Sequence, residues 1–468
     1  MSKILLVNLS IDSDDSYTVG PLTLLTSLKT IGIDGDFYDN LINDNQLMEA
    51  PLYYENAYDG NLPIEESSEA TRRIFESASA RVTAETKVIG FCVLLTNVDV
   101  VLYYARHFKQ RFPHILIVLG GPHMVRLDPK HQDMRNFPFI DFYVKGRAED
   151  VVTEVFKHEF RFPELSHLDG LCFKNGDDWH VSPNTNEFLT FEPSSYHHRT
   201  LKDVVNVSLS VGCPYKCTFC QQDLYYKEYI RAPVDKCIEI LKPHKGKNVF
   251  IADALLNANH VWLKDLCQEM IRLDLNIKWR SWFRVAGQLR DISYLEMLYD
   301  SGLRKIDFGL ESASAPVLKH MMKYHNEEGN FEVFDNIRKL AHRGKRMGVG
   351  LNILVGYPTE TERDFMKTYN FILFNQDVIQ SISSCNIVAI NKDSRLYALM
   401  EKTGEFTWVN DDNWAVKDNT PAVRFDRHKR MTELFKRLKI DVNHSHDAIR
   451  LQMTQESDWA KEPVPVST

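Results

Sequence analysis

The sequence predicts an α/β protein with two consecutive domains, because apolar, strand-like runs alternate with helical patterns along most of its length. We expect the first domain to be a Rossmann-like, doubly wound parallel sheet. We expect the second to be a partial (β/α)6 barrel, followed by a small helical C-terminal region. A chain of 468 residues with 44% hydrophobic and 26% charged residues has the composition of such globular domains.

Five short apolar runs in the first 150 residues predict the strands of the N-terminal sheet. They lie at 3–8, 35–39, 87–95, 114–119 and 139–145, with helices predicted at 21–31, 98–112 and 149–156. Residues 43–85 are polar and acidic and predict a loop plus a helix. Ligands of doubly wound sheets bind at the carboxyl ends of strands, so the loops at Leu95–Asn97 and Gly120–His123 are the candidate contacts.

Six strands alternate with helices again between residues 200 and 400 and predict the barrel. After the first, which covers Val204 to Val211, the strands are expected at 249–253, 277–284, 305–312, 349–358 and 379–390, and the helices at 259–273, 292–301, 316–322 and 360–375. In barrels of this kind the chemistry collects at the carboxyl ends of the strands.

Turn-forming residues and changes in composition predict the domain boundaries. We assign 1–160 to the N-terminal domain, 161–195 to a linker and hairpin, 196–400 to the barrel, 401–453 to a helical C-terminal cap and 454–468 to a disordered tail.

Three cysteines, Cys213, Cys217 and Cys220, follow the first barrel strand with the spacing C-x3-C-x2-C. Soft thiolates at this density select an iron–sulfur cluster or zinc. A structural zinc site would want a fourth Cys or His close by; His244 is available, but nothing in its spacing points to it. Three thiols can hold three irons of a cubane and leave the fourth iron open for a ligand. This favours a 4Fe–4S cluster over zinc or plain buried thiols.

The cysteine motif, with the aromatic Phe219 before its last cysteine, resembles that of the radical S-adenosylmethionine (SAM) superfamily. The resemblance covers roughly residues 1–400. It implies that the open iron binds the amino and carboxylate groups of SAM. It also implies reductive cleavage of SAM to methionine and a 5′-deoxyadenosyl radical, which takes a hydrogen atom from an unactivated C–H bond of the substrate.

The resemblance also implies SAM contacts at the strand ends of the barrel. Asp253 would accept from the SAM ammonium, Arg284 would pair with its carboxylate, and Glu311-Ser312 would bind the ribose hydroxyls. Gly356 and Pro358 would let the backbone lie close to the adenine ring. Taken alone, Asp253 or Arg284 is more often a helix cap or a member of a surface pair, but the whole set occurs in order after the cysteine motif.

The N-terminal half resembles the cobalamin-binding domain of one large class of radical SAM enzymes, in which a strand ending in Gly-Gly-Pro-His is common. Gly120, Gly121, His123 and Asn97 are therefore candidate cobalamin contacts. The Asp-x-His-x-x-Gly signature of the cobalt-ligating His is absent, so His123 is expected to be a loop residue near the pocket. The alternative is a Rossmann-like scaffold without a corrinoid.

Cys385, on the predicted sixth barrel strand, is a candidate catalytic residue. It lies in the hydroxyl-rich stretch Ser383-Ser-Cys-Asn386, where side chains are able to line the barrel interior. A thiol there would donate a hydrogen atom to a substrate radical, as in Cys-dependent radical SAM peptide epimerases. The alternative is an inert core cysteine.

We therefore predict a radical SAM enzyme acting on a natural product or peptide, with cobalamin-dependent C-methylation as the leading outcome. Cobalamin-independent epimerisation through Cys385, a radical dehydration or rearrangement, and a non-enzymatic iron–sulfur or corrinoid sensor are the alternatives. The expected partners are the small-molecule or peptide substrate and a reducing electron donor such as flavodoxin or ferredoxin.

The net charge of −8 gives no argument for binding nucleic acid or an anionic membrane. Eight cysteines, three of them in one motif, do not form a disulfide framework. No signal peptide or membrane span is predicted, and an oxygen-sensitive cluster needs a reducing compartment, so we expect a cytoplasmic location.

Overall fold

A computed structural model describes residues 3–9, 19–44, 63–94, 97–121, 124, 134–183, 194–197, 204–222, 226, 228–323, 325–392 and 394–442. The described residues form two compact units. The first holds those between 3 and 183 together with 226 and 228, and the second holds the rest. No helix in these ranges is long and apolar enough to cross a membrane. His123 and the predicted tail at 454–468 lie outside the described residues.

The first unit is built on a seven-stranded sheet of order β2-β1-β3-β4-β5-β6-β7. Its strands are β1 (Lys3–Asn8), β2 (Asp34–Asp39), β3 (Thr86–Cys92), β4 (Leu116–Gly120), β5 (Phe142–Val144), β6 (Leu171–Asn175) and β7 (Asp178–Val181). The first five pair in parallel, which confirms the predicted doubly wound sheet. The hairpin β6–β7, predicted within a linker, pairs antiparallel with β5 and extends this sheet.

Helices of the first unit pack on this sheet because β1, β3 and β4 are almost entirely apolar and buried on both faces. They are α1 (Val19–Thr30), α2 (Asn40–Asp44), α3 (Glu69–Ser79), α4 (Val98–Arg111) and α5 (Ala148–Lys157). Ser68 begins α3 by accepting the backbone N–H of Thr71.

The second unit is built on an eight-stranded sheet of order β19-β16-β15-β14-β13-β12-β9-β8. Its strands are β8 (Ser194–His197), β9 (Val204–Ser208), β12 (Asn248–Ile251), β13 (Lys278–Phe283), β14 (Leu303–Glu311), β15 (Gly348–Val355), β16 (Ile379–Ile387) and β19 (Asp441–Val442). The six strands from β9 to β16 pair in parallel, as the partial (β/α)6 barrel requires.

Helices alternate with these strands along the chain. They are α6 (Val234–Leu241), α7 (His260–Arg272), α8 (Ile292–Asp300), α9 (Ala315–His320), α10 (Glu327–His342), α11 (Glu362–Phe374), α12 (Arg395–Glu401) and α13 (Pro421–Leu438). Two small pairs complete the unit, β10 (Ser210–Val211) with β11 (Ile230–Arg231) and β17 (Phe406–Trp408) with β18 (Trp414–Val416). The predicted C-terminal cap is thus part of this unit, since α13 packs on the barrel core and β19 pairs with β16.

The two faces of the barrel strands differ in chemistry, and this difference places the site. In β14, Ile306, Phe308 and Leu310 are fully buried against the helices. Because side chains alternate along a strand, Lys305, Asp307, Gly309 and Glu311 lie on the opposite face, here called the inner face. The polar residues of β14 to β16 collect on this inner face, and the functional side chains stand at its carboxyl end.

Candidate active site

The cysteine loop runs from Cys213 to Cys220, immediately after β10. Cys217 is buried and the other two cysteines are half-buried. Burial raises the pKa of all three thiols, that of Cys220 to about 12. The charge of Cys217 would also raise the pKa of Cys213 and of Cys220. Thiols in this state need a bound cation in order to ionise, which is what an iron–sulfur cluster supplies.

No three His, Cys, Asp or Glu side chains in the described ranges are assembled for a single metal ion. A cubane cluster gives each thiol its own iron. The backbone N–H of Gln222 already points to Sγ of Cys220 at 3.5 Å, a contact of the kind that tunes cluster potentials.

Asp253, just after β12, anchors the segment that leads into the cysteine loop. One carboxylate oxygen accepts the backbone N–H of Leu209 at 2.8 Å and the other accepts the hydroxyl of Ser210 at 2.7 Å. Asp253 is only 1% exposed. The sequence analysis predicted a contact with the SAM ammonium, but the structure uses both oxygens inside the protein. We therefore assign Asp253 to positioning the loop.

This burial makes a pH-dependent prediction for Asp253. Burial raises its pKa to about 6, although the hydrogen bonds from Leu209 and Ser210 oppose the shift. A carboxyl with a raised pKa stabilises the fold fully below its unfolded pKa of about 4. That stabilisation is lost as the pH rises through about 6.

The quantity to compare is the unfolding free energy of the wild type minus that of Asp253→Asn. We expect this difference to fall by about 2–3 kcal/mol between pH 4 and 7, since one pKa unit corresponds to about 1.4 kcal/mol. Urea denaturation of both proteins across this range measures the difference. A difference that does not change with pH would contradict a raised pKa of Asp253.

Arg284 follows β13 and brings a buried cation to the cysteine loop. Its guanidinium carbon lies 4.0 Å from the ring centroid of Tyr215, within the loop. Its backbone is fixed by two hydrogen bonds with the Asn257 side chain, at 2.8 and 2.9 Å. The charge of Arg284 lowers the pKa of Cys213 and Cys217, against the effect of burial. This position suits the predicted role as partner of a carboxylate beside the cluster.

Lys323, which the sequence analysis missed, is the second buried cation at the loop. It lies three residues after α9, and its Nζ donates to Oε1 of Glu311 at 2.9 Å and to the carbonyl of Gly309 at 2.5 Å. It also stands 5.9 Å from the ring centroid of Phe219. Glu311 has a left-handed backbone, with φ of 62°, an uncommon conformation that such sites tend to hold. The Glu311–Lys323 pair thus forms one wall of the site.

Ser312 lies behind this wall. It is fully buried, and its hydroxyl lies 3.2 Å from that of Thr368 and accepts the backbone N–H of Ser314 at 3.1 Å. In the structure Ser312 therefore supports the turn after β14. The ribose contact predicted for Glu311-Ser312 stays a prediction. Phe219 also has a structural role, because it packs against a buried apolar cluster that includes Val317 and Trp414.

The turn Gly356–Pro358 after β15 is buried. Hydrogen bonds with two side chains fix its backbone. Asn419 donates to the carbonyls of Gly356 and Tyr357, at 3.2 and 2.9 Å, and Glu360 accepts the N–H of Gly356 at 2.8 Å. Packing explains why position 356 is a glycine, because a Cβ there would overlap the aliphatic stem of Arg424. The predicted approach of adenine to this turn remains a prediction.

Replacing Gly356 with alanine is expected to destabilise the protein more than replacing Gly404. Both glycines have positive φ, 74° and 69°, but a Cβ at Gly404 has no described atom within 4 Å. Both substitutions carry a left-handed strain of about 1–2 kcal/mol. Gly356→Ala adds overlap with Arg424, worth about 1–3 kcal/mol. Thermal unfolding of the two variants measures the difference, and equal losses would contradict the clash.

At the N-terminal sheet, Asn97 and Gly121 hold the ends of strands. Asn97 is fully buried; its amide donates to the carbonyls of Leu9 and Cys92, at 3.2 and 3.3 Å, and its oxygen accepts the N–H of Leu94. Gly121 has φ of 109°, and a Cβ there would meet the backbone of Val93. Both residues shape the carboxyl edge of the sheet. A Cβ at Gly120 would have no described atom within 4 Å.

Cys385 requires a correction, because the structure places it away from the inner face. It is 1% exposed and belongs to the apolar core that joins the sheet to the helices, next to Ile353 on β15. A register shift beside Ser383 puts both preceding serines on the inner face. Ser383 donates to Asp307 at 2.6 Å and Ser384 to Asn352 at 2.7 Å. Cys385 consequently points toward the helices, where it has no path to a substrate radical.

The arrangement as a whole brings three thiols, two buried cations and one carboxylate to the carboxyl edge of a parallel barrel. The thiols suit an iron–sulfur cluster, and Arg284 and Lys323 supply positive charge for an anionic ligand group beside it. Such a fold and site suit an iron–sulfur cluster with an open iron and a charged small ligand beside it.

Comparison with known proteins agrees with this interpretation. Residues 207–372 match the model of the Radical SAM superfamily. Residues 207–372 therefore carry a Radical SAM domain, which implies a 4Fe–4S cluster and SAM as cofactors. The fold of the chain is similar to that of solved cobalamin-dependent radical SAM enzymes.

Among curated proteins, the anaerobic magnesium-protoporphyrin IX monomethyl ester cyclase of Rubrivivax gelatinosus is 27% identical over 281 residues, which cover 56% of this chain and 49% of the cyclase. The chain spans about half the length of the curated cyclases that it matches. The cobalamin-dependent radical SAM methyltransferase TokK of Streptomyces tokunonensis is 24% identical over 189 residues, covering 36% of this chain and 28% of TokK.

A solved structure of the radical SAM methyltransferase TsrM from Kitasatospora setae, with cobalamin and a 4Fe–4S cluster bound, superposes with a TM-score of 0.65 at 13% identity. It covers 87% of this chain and 77% of TsrM. At this level of identity the likeness concerns the fold, and it extends over both units of the chain.

Proposed function

We propose that this enzyme methylates a carbon atom of a small-molecule or peptide natural product in a cobalamin-dependent reaction. One observation carries the proposal. The chain combines a parallel sheet of order 2-1-3-4-5 with a radical SAM barrel, the same combination of folds that TsrM has across 87% of this chain. The likeness to TokK, named as a cobalamin-dependent methyltransferase, supports the same reaction class.

The N-terminal sheet fits a planar cofactor at its carboxyl edge. Its strand order changes direction between β1 and β3, and ligands of such sheets bind at this switch point. Asn97 fixes the strand ends there, through Leu9 after β1 and Cys92 at the end of β3. Among the described residues, no atom lies within 4 Å of a Cβ built at Gly120, which is compatible with close approach of a ligand. We propose that Gly120, Gly121 and Asn97 shape a cobalamin site; the part predicted for His123 stays a prediction.

When loaded, the cluster and cobalamin supply an electron for reductive SAM cleavage and a centre for methyl transfer. The protein's own residues have three tasks. Asp253 holds the entry to the cysteine loop, Arg284 and Lys323 place positive charge next to it, and Glu311 offers its second carboxylate oxygen to a hydroxyl pair. We propose that these groups orient SAM, with Gly356 and Pro358 beside the adenine.

The inner face of β13 to β16 is the proposed substrate surface. Trp282, Asn352, Ser384 and Asn386 are half-buried on it. Two cations also lie on this face: Lys305 is 3.2 Å from Asp307, and Arg280 lies over the ring of Phe250 at 4.2 Å from its centroid. Together with the indole, amide and hydroxyl groups, they suit a substrate that forms hydrogen bonds. An epimerase that uses Cys385 is not supported, because that thiol faces the helices. Flavodoxin or ferredoxin as reductant and a cytoplasmic location remain part of the proposal.

Isotope transfer tests the reaction. Anaerobic protein reconstituted with iron, sulfide and cobalamin is incubated with SAM carrying a deuterated methyl group, a reductant and a metabolite extract. We expect a product that has gained the labelled methyl group on carbon, together with S-adenosylhomocysteine and 5′-deoxyadenosine. Formation of 5′-deoxyadenosine with a product of unchanged carbon count would reject methylation and leave the radical SAM assignment standing.

A further inference from the structure

Tyr357, the middle residue of the Gly356–Pro358 turn, connects this turn to the cysteine loop. Its side chain is fully buried, and its hydroxyl oxygen lies 2.7 Å from the hydroxyl of Thr218 and 2.8 Å from Nδ1 of His320. Thr218 stands between Cys217 and Cys220. A single hydroxyl group therefore joins the end of β15 to the loop that carries the cluster ligands.

The hydrogen-bonding groups in this contact satisfy one another. Nδ1 of His320 lies 2.8 Å from the hydroxyl of Tyr357, and burial lowers the pKa of His320, which favours the neutral imidazole. The hydroxyl groups of Tyr357 and Thr218 share a hydrogen bond in which either can donate, and the carbonyl of His320 lies 3.3 and 3.4 Å from them. The backbone N–H of Thr218 donates to the carbonyl of Met321 at 3.2 Å. Thr218 is thus held on both its side chain and its backbone.

The loop has little regular structure of its own to fix its sulfurs. Between Cys217 and Cys220 it has one internal backbone hydrogen bond among the described contacts, from the N–H of Cys220 to the carbonyl of Cys217 at 3.1 Å. Outer hydrogen bonds orient metal ligands and tune the metal, and their loss typically costs about 10–100-fold in metal affinity or activity. The contact from Tyr357 through Thr218 has the position of such an outer hydrogen bond.

We propose that Tyr357 is a positioning residue for the iron–sulfur cluster. Its hydroxyl fixes the turn from Cys217 to Cys220 through Thr218, and it thereby links the cluster to the turn predicted to approach SAM. This inference rests on the cysteine loop as the cluster site. It holds whichever product the enzyme forms, so its failure is distinct from a failure of the methylation proposal.

The test compares Tyr357→Phe and Thr218→Val, which remove one hydroxyl each and keep the shape of the side chain. Tyr294→Phe is the matched control, because Tyr294 is a buried tyrosine of the same unit whose hydroxyl donates to the carbonyl of His260 at 3.2 Å. Each reconstituted protein is examined for iron and sulfide content, for the midpoint potential and g values of the reduced cluster, and for 5′-deoxyadenosine formed from SAM and dithionite.

We expect Tyr357→Phe and Thr218→Val to shift the potential and g values in the same direction and to slow SAM cleavage by about tenfold or more. Tyr294→Phe should match the wild type in the potential, the g values and the rate of SAM cleavage. Unchanged potential, g values and cleavage in Tyr357→Phe would overturn the proposal. It would also be overturned if Tyr357→Phe lowered the unfolding temperature but kept wild-type cluster spectra, because the hydroxyl would then contribute only to stability.

Discussion

Replacing Cys217 with alanine is expected to abolish formation of 5′-deoxyadenosine. Cys217 is the most buried of the three thiols, and without it one iron of the cluster loses its protein ligand. Losing a hydrogen bond to a metal ligand typically lowers metal affinity or activity by about 10–100-fold. Losing the ligand itself should lower them further. The measurement is 5′-deoxyadenosine release from anaerobic, dithionite-reduced protein, with iron content determined on the same sample.

Cys385→Ala is the matched control for Cys217→Ala. Both remove a buried thiol from the same unit, but Cys385 faces the helix layer, so the variant should keep its iron and its rate of SAM cleavage. Retained 5′-deoxyadenosine formation in Cys217→Ala would contradict the assignment of the cysteine loop. Loss of cleavage in Cys385→Ala at normal iron content would contradict the corrected placement of Cys385.

Replacing Lys323 with methionine is expected to destabilise the protein by about 3–5 kcal/mol, because it leaves the Glu311 carboxylate buried without its cation. The pair is almost enclosed, with side-chain exposures of 8% and 12%. The variant should also weaken SAM binding, since it removes one of the two cations beside the thiols. Chemical denaturation of the apo-protein measures the first effect, and SAM titration of the reconstituted protein measures the second.

The double variant Lys323→Met with Glu311→Leu separates the two effects. Removing both charges should restore most of the lost stability, as apolar replacement of buried ion pairs often does. It should not restore SAM binding. Lys236→Met, in the exposed pair with Glu239, should cost less than about 1 kcal/mol. A double variant no more stable than Lys323→Met would show that the pair is not coupled as the geometry implies.

Local patterns were enough to predict the succession of strands and helices along the chain and the cysteine loop. Strands of the barrel are apolar on the helix side and end in polar residues, so their limits are visible in the sequence, as for Leu303–Glu311. The spacing of the cysteines identifies their chemistry without any knowledge of the fold. Asp253 was also found at a strand end, although its partners, Leu209 and Ser210, were not predictable because they belong to another strand.

The remaining parts of the site depend on contacts between distant segments or on register. Lys323 reaches Glu311 only because α9 turns the chain back over the end of β14, and no spacing rule signals this. Tyr357 reaches Thr218 across 139 residues. Cys385 was placed on the wrong face because strict alternation would align it with Ser383. The bulge at Ser383 shifts the alternation by one residue, and a one-residue shift moves every following side chain to the other face.

The cobalt-to-iron ratio of protein purified anaerobically with cobalamin supplied tests the functional account most directly. The ultraviolet–visible spectrum of the same sample identifies the corrinoid and the cluster. The account predicts cobalt equimolar with the 4Fe–4S cluster, and loss of the iron but not of the cobalt in Cys217→Ala. Iron without cobalt would contradict it, since the N-terminal unit would then be a scaffold and cobalamin-dependent methylation would be excluded.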